Sequence, residues 1–186
     1  MPTATALRFA LDAKVSQFTV HAFASGLASV VAHNPKFAIR EFSGEAHLDP
    51  ETLSASLKVA VRLRSLELTD EVGEYDRGEI NRIMFDEVLE VGRFPEAAYE
   101  CPRAAVTKIS ENMYRTELKG NLSLHGNMRQ LNLTSQVVRG EDSLRAYGEF
   151  TLNQSDFGIR LPSVANGTIK MKDQVKIAFF IIGRRV

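Results

Sequence analysis

The side chains best equipped for chemistry are four histidines, one cysteine and a few adjacent polar pairs. A metal site needs several convergent ligands, usually with carboxylate or thiolate help. His21, His33, His47 and His125 are scattered, and no two have the spacing that puts both on one helix face. They read as single imidazoles, satisfied locally or by solvent. Ser155 and Asp156 with a histidine would supply the parts of a hydrolytic group, but no Gly-x-Ser-x-Gly elbow occurs. Asp156, just before Phe157-Gly158, reads instead as a carboxylate accepting from turn N–H groups. Asp76 and Arg77 form an acid–base pair in sequence, with helix-surface charge or anchoring of the helix as the simpler reading. Cys101 has no second cysteine to pair with, which excludes an intrachain disulfide and a multi-thiolate metal cluster. A reactive thiol wants an electropositive setting. Arg103 is near but points away from its neighbour's face, so Cys101 reads as packed and inert. No catalytic set and no metal set is expected.

The elements that must position these residues are strands. Apolar and polar residues alternate with the period of a half-buried strand in several runs. Leu53, Ala55, Leu57, Val59, Val61 and Leu63 share one face. So do Tyr114, Thr116, Leu118, Gly120, Leu122 and Leu124. Leu131, Leu133 and Val137 continue the pattern, as do Ala146, Gly148, Phe150 and Leu152. Met171, Val175, Ile177, Phe179 and Ile181 form a last face, and Leu7, Phe9 and Leu11 a first one. Turn signals lie between them at Asp12-Ala13-Lys14, Asp49-Pro50-Glu51, His125-Gly126-Asn127 and Gly140-Glu141-Asp142. Strands joined by such short turns are expected to be antiparallel neighbours.

One segment departs from alternation. From about Tyr75 to Val91, the residues Ile80, Ile83, Met84, Val88, Leu89 and Val91 recur at helical steps. Acids cluster at its start, and Gly92 and Pro95 follow its end. Phe157 to Gly167 is rich in turn formers and is expected to be a long loop.

At 186 residues the chain suffices for one sizeable core, and residues 1–186 are expected to form a single domain. Lys plus Arg and Asp plus Glu are both 23, which argues against a nucleic-acid-binding role. Trp is absent and Phe numbers 11, so the interior must be built from Phe and aliphatics. No run approaches the ~20 apolar residues of a membrane helix. Met1 to Ala10 has no basic segment followed by an apolar one. The expected location is cytoplasmic; a mature form whose leader has been removed, and hence a periplasmic one, would read the same.

These elements predict an all-β fold: a single antiparallel barrel of about eight strands with one inserted helix near 75–91. Barrel closure hides both the apolar face and the sheet edges. An eight-stranded barrel is either filled by side chains or holds one small ligand. The small inward residues Ala55, Gly120, Ala146 and Gly148 can leave room for a guest or for a bulky residue opposite. On the residues alone, the packed core is the simpler reading.

Five segments, taken in order, resemble the YceI-like family of lipocalin-like, polyisoprenoid-binding barrels. They are Phe18 to Gly26 with Ala32-His33-Asn34-Pro35; Phe42-Ser43-Gly44-Glu45; Asp76 to Ile80 through Met84, Val88 to Glu90 and Phe94-Pro95; Gly120 to Gly126; and Phe150 with Gln154 to Ile159. The chain differs from the usual pattern at Ser65 to Thr69, at Met84 to Glu87 and at Ser123, changes expected to alter the pocket and its mouth. The resemblance implies a long apolar channel, a polyisoprenoid or other long-chain lipid as its small hydrophobic ligand, and a homodimer. The residues expected to contact that ligand are Leu57, Val59, Val61, Leu118, Leu122, Leu133, Phe150, Phe157, Ile177 and Phe179. His21, His33 and Arg160 are expected near its head group.

The function expected is therefore non-enzymatic binding, transport or storage of such an amphiphile, with no cofactor, no nucleic acid and no membrane span. The competing reading is a packed barrel that acts through its surface as an interaction module.

Overall fold

The computed structural model describes residues 6–25, 34–164 and 169–186. The predicted alternation appears as long strands whose inward residues are buried and outward ones exposed. In chain order they are β1 (Leu7–Leu11), β2 (Gln17–His21), β3 (Ala24–Ser25), β4 (Lys36–Ile39), β5 (Phe42–Asp49), β6 (Ser54–Arg62), β7 (Leu66–Leu68), β8 (Glu96–Lys108), β9 (Met113–Leu124), β10 (Asn127–Arg139), β11 (Ser143–Asn153), β12 (Ser163–Val164), β13 (Ile169–Met171) and β14 (Gln174–Arg185). The main sheet closes on itself through β1–β14 and forms an antiparallel eight-stranded barrel.

Three staves of this barrel are broken strands. Phe9 of β1 lies opposite Arg185 and Phe18 of β2 lies opposite Phe179, so β1 and β2 run end to end along one edge of β14. Asp12-Ala13-Lys14 is therefore not the reversal between neighbours that the sequence predicts. It is part of a bulge, held because its backbone groups still find partners. Asp12 N–H donates to Ile182 O at 2.8 Å, Ile182 N–H to Ser16 Oγ at 2.9 Å, and Ser16 Oγ to Asp12 O at 2.6 Å. The stave made of β4 and β5 breaks at Arg40-Glu41. Beside it, β6 and β7 are separated by a tight turn, Leu63–Ser65, whose Ser65 Oγ donates to Arg62 O at 2.7 Å.

Beyond these breaks β7 keeps β4 as its paired neighbour, and the other edge of the leaf meets a helical insert. The insert is α1 (Glu74–Arg82), running on into a wider π-helical turn over Ile83–Val88. It corresponds to the helix expected near 75–91. Arg77 fastens it by donating to Leu68 O at 2.6 Å and Asp70 O at 2.8 Å. Anchoring is thus what this arginine does. Ile80, Met84, Phe85 and Leu89 pack on Phe37, Leu63, Leu66 and Leu68.

The opposite end of the barrel is solid. Phe9, Leu48, Val106, Tyr114, Val137 and Leu144 fill it, with Ala55 and Ala146 packed alongside. Next comes a layer of Tyr99, Cys101, Ala104 and Leu118, in which the free Cys101 has no exposed surface. Two glycines make room for rings here rather than for a guest. A Cβ on Gly120 would meet the Tyr99 ring at 2.5 Å and Glu100 O at 2.5 Å; on Gly148 it would meet Phe179 at 2.8 Å. Within β8, Pro102 sits in a one-residue bulge, where its missing N–H costs no ladder bond.

At the helix end, a small sheet of β12, β13 and β3 crosses the mouth. It occupies part of the stretch read from sequence as loop, which also begins with a tight turn, Gln154–Phe157.

Two glycine substitutions test this packing. Gly120→Ala should lower unfolding free energy by about 1–3 kcal/mol through overpacking against Tyr99. Gly78→Ala, mid-helix with nothing within 4 Å, should raise it by about 0.5–1 kcal/mol. Urea denaturation of the two variants should move in opposite directions; a shared direction would overturn the assignment.

Candidate functional site

At the helix end the barrel is hollow. A cavity of about 610 Å³ lies between the sheet and the insert, within the roughly 300–1,000 Å³ of small-molecule sites. Strands supply Val20, Phe37, Leu122, Leu124, Leu152 and Ile177; the insert supplies Ile80, Ile83, Met84, Val88 and Leu89. Its polar lining residues are Tyr75, Asp76, Glu79 and Gln154, and no Ser, Cys, His, Lys or Arg is among the described residues that line it. Tyr75 stands at the rim, 86% exposed.

Deeper in the barrel is a second cavity of about 130 Å³, lined by Leu11, Leu57, Val59, Tyr99, Leu131, Leu133, Phe179 and Ile181. Between the two lies a waist of Phe18, Val61, Ala97, Leu122 and Phe150, which line both. Aromatic edges build the waist: Phe18 meets Phe42 edge-on at 5.8 Å and Phe179 at 6.4 Å. Among the described residues lining this inner cavity, the single hydroxyl is already used. Tyr99 donates to Leu131 O at 3.1 Å, and exclusion of water pushes its phenol up to about 12.

The residues singled out from sequence fall into three groups. Val61, Leu122, Phe150 and Ile177 line the outer cavity, while Leu57, Val59, Leu133 and Phe179 line the inner one. Leu118 and Phe157 are buried but line neither: Leu118 belongs to the layer below, and Phe157 sits beneath the turn at the mouth. His21 is half-buried on β2, Arg160 is exposed, and neither lines a cavity; His33 lies outside the described residues. The carboxylate that caps the Ser155 turn is that of Asp173, accepting from Ser155 N–H at 2.7 Å, rather than that of Asp156. Sequence reading missed the lining supplied by the insert and by Phe18, Val20 and Phe37. Helical periodicity marks the insert's apolar face but not what that face covers.

The YceI-like domain model matches residues 9–182. The chain belongs to this family. Solved structures with the same fold include Burkholderia cenocepacia BcnA, at 16% identity and a TM-score of 0.68, covering 92% of this chain and 98% of that one. A polyisoprenoid binding domain from Saccharophagus degradans, implicated in plant cell wall breakdown, has 13% identity and a TM-score of 0.68, with 96% and 98% covered. The Campylobacter jejuni YCEI protein has 15% identity and a TM-score of 0.61, with 82% and 86% covered. No curated protein is significantly similar to the chain in sequence. In this YceI-like barrel, Met84, one of the positions that depart from the usual pattern, lines the outer cavity. Among the described residues no helix is long and apolar enough to cross a membrane.

The insert is latched at its far end. His125 Nε2 and Glu90 Oε2 are 2.8 Å apart, the His125 and Phe94 rings meet at 4.4 Å with their planes tilted by 51°, and Arg93 bonds Glu90 at 3.1 Å while lying over Phe94. Glu90 and His125 both have left-handed backbone, φ 44° and 51°, at a cost of about 1–2 kcal/mol each. The contacts they make to each other offset that strain. The His125 and Arg93 hydrogen bonds hold the Glu90 carboxyl below the usual carboxylate range, His125 being the larger cause. The latch therefore contributes stability above the unfolded-state carboxyl pKa and loses it as pH falls through the lowered folded value. Amide exchange across residues 83–94 should quicken over that acidic window, and Glu90→Gln should remove the pH dependence. An unchanged pH profile in Glu90→Gln would refute the latch.

Proposed function

We propose that this barrel binds one long-chain apolar amphiphile, of isoprenoid or fatty-acid-like type, and that it does so without catalysis. The observation that carries the reading is the outer cavity: aliphatic and aromatic side chains on every wall, opening at a polar rim and leading to a second apolar chamber beyond the waist. Each buried CH₂ contributes about 0.8 kcal/mol, while association costs at least about 4 kcal/mol. A short apolar molecule gains little net affinity there; a long chain gains enough to stay. The printed description of the Saccharophagus degradans domain, a barrel of the same fold, as polyisoprenoid binding supports the same class of ligand. Among the described residues the lining holds no Ser, Cys, His or Lys beside the Asp76 and Glu79 carboxylates, which favours carriage over turnover.

The waist supplies the test. Ala97 lines both cavities and is nearly buried, so Ala97→Phe places a ring in the path. Native mass spectrometry of the gently purified protein, with extraction and lipid analysis, should show one long-chain molecule per chain. Ala97→Phe should lose it while keeping the β-rich circular dichroism spectrum of the parent. A protein that carries nothing and takes up no apolar dye would overturn carriage and leave the surface as the functional part.

A further inference from the structure

The zero net charge of the chain conceals a division. Residues 69–95 hold eight acidic side chains against three arginines, a balance of minus five in a chain whose total is zero. This is the insert that covers the cavity. Its arginines are committed. Arg77 is bonded to Leu68 O and Asp70 O, Arg82 is paired with Glu79 and Glu87, and Arg93 with Glu90. Among the described residues the two charged groups that line the cavity are Asp76 and Glu79, and both are acidic. On neighbouring elements Lys36, Arg160, Lys170 and Lys172 are exposed and do not line it, and Arg64, which lies over the Phe85 ring of the insert at 4.9 Å, does not line it either. Residues 26–33 and 165–168 contain no lysine or arginine.

Resting on the carriage reading above, we propose that the rim selects by charge: the barrel takes long-chain molecules with a hydroxyl, carbonyl or amine head and rejects chains ending in carboxylate or phosphate. With the chain in the channel, its head lies beside Asp76 at the rim, with Tyr75 and Gln154 as hydrogen-bonding groups. An anionic head there meets the carboxylate of Asp76, for which no ion pair is found among the described residues, and that of Glu79, already paired with Arg82, and no lining guanidinium or ammonium, the groups that ordinarily recognise carboxylate and phosphate. The net charge of the insert adds a repulsion that salt screens over about 10 Å at 0.1 M.

The test uses farnesol, farnesylamine and farnesyl phosphate, which share one isoprenoid chain, as competitors of an uncharged naphthylamine dye bound to the full chain. At low salt, farnesyl phosphate should compete at least about tenfold more weakly than the other two. The gap should narrow at about 0.5 M salt and in an Asp76→Asn/Glu79→Gln variant. Equal competition by all three, or tightest binding of the phosphate, overturns charge selection and leaves carriage standing. Failure of the dye and of all three competitors overturns carriage and the selection with it.

Discussion

Closure of the barrel depends on β14 serving two strands along a single edge. Its other edge pairs with β11 over eleven successive residues, from Ser143–Arg184 to Asn153–Gln174. The free edge must then be covered along almost its full length, and neither β1 nor β2 is long enough alone. Placing them end to end covers it, provided the residues between them do not leave N–H and C=O groups unpaired. Asp12 and Ser16 meet that condition with one backbone and two hydroxyl hydrogen bonds, and Asp12 Oδ2 adds an ion pair to Arg184 at 2.7 Å. An open edge here would expose a long unpaired strand, which is an aggregation surface.

The same break sets up the cavity. Once three adjacent staves kink at one level, the leaf of β2, β4 and β7 no longer follows the wall toward β8. Side chains reaching from opposite walls cannot fill the widened end as Phe9, Tyr114 and Leu48 fill the other. The insert covers the opening, and it must be tied at both ends to do so: Arg77 to β7 at its start, and Glu90 to the His125 hairpin at its end. A solid end and a hollow end thus follow from one irregularity in an otherwise regular barrel. The salt bridges on the outer wall, such as Lys58 to Glu100 at 2.8 Å, are exposed and add little to this.

Much of this was legible from alternation, because a half-buried strand writes its two faces directly into the sequence. The strands over 54–62, 113–124, 143–153 and 174–185 were visible that way, and the helix by its change of period. β8 showed only as a strand-like region around Cys101 and not by alternation, since its buried set runs 97, 99, 101 and then 104, 106. The bulge at Pro102 shifts the period by one, and a fixed-period reading loses the strand. The end-to-end arrangement of β1 and β2 was hidden for a different reason. Asp12-Ala13-Lys14 has the composition of a reversal, and only the pairing with β14 distinguishes a bulge from a turn. For the site, alternation identified inward residues but not depth along the axis. Leu118 and Leu122 belong to the same face, yet one lies in the packed layer and the other at the waist. Hollow or packed was likewise undecidable from Gly120 and Gly148, whose missing side chains are filled by Tyr99 and Phe179.

Depth gives the channel a direction. Its floor is the layer of Tyr99, Cys101 and Leu118, where the available polar groups are already bonded and a head group would find no partner. Burying an unpaired hydroxyl or amide there costs about 1–3 kcal/mol, and an unpaired charge far more. The polar lining groups are at the other end: Tyr75, Asp76 and the Arg82-paired Glu79 on α1, and Gln154, whose Nε2 donates to Lys172 O at 3.3 Å. On the carriage reading a chain therefore enters tail first and stops with its head at the rim. The insert then has two duties that a packed barrel would not impose on it. It completes the apolar wall with Ile80, Ile83 and Met84, and on the next turn of the same helix it presents carboxylates to whatever part of the ligand remains in water. On that reading Asp76 and Glu79 serve the second duty, since the first needs only one face of the helix to be apolar.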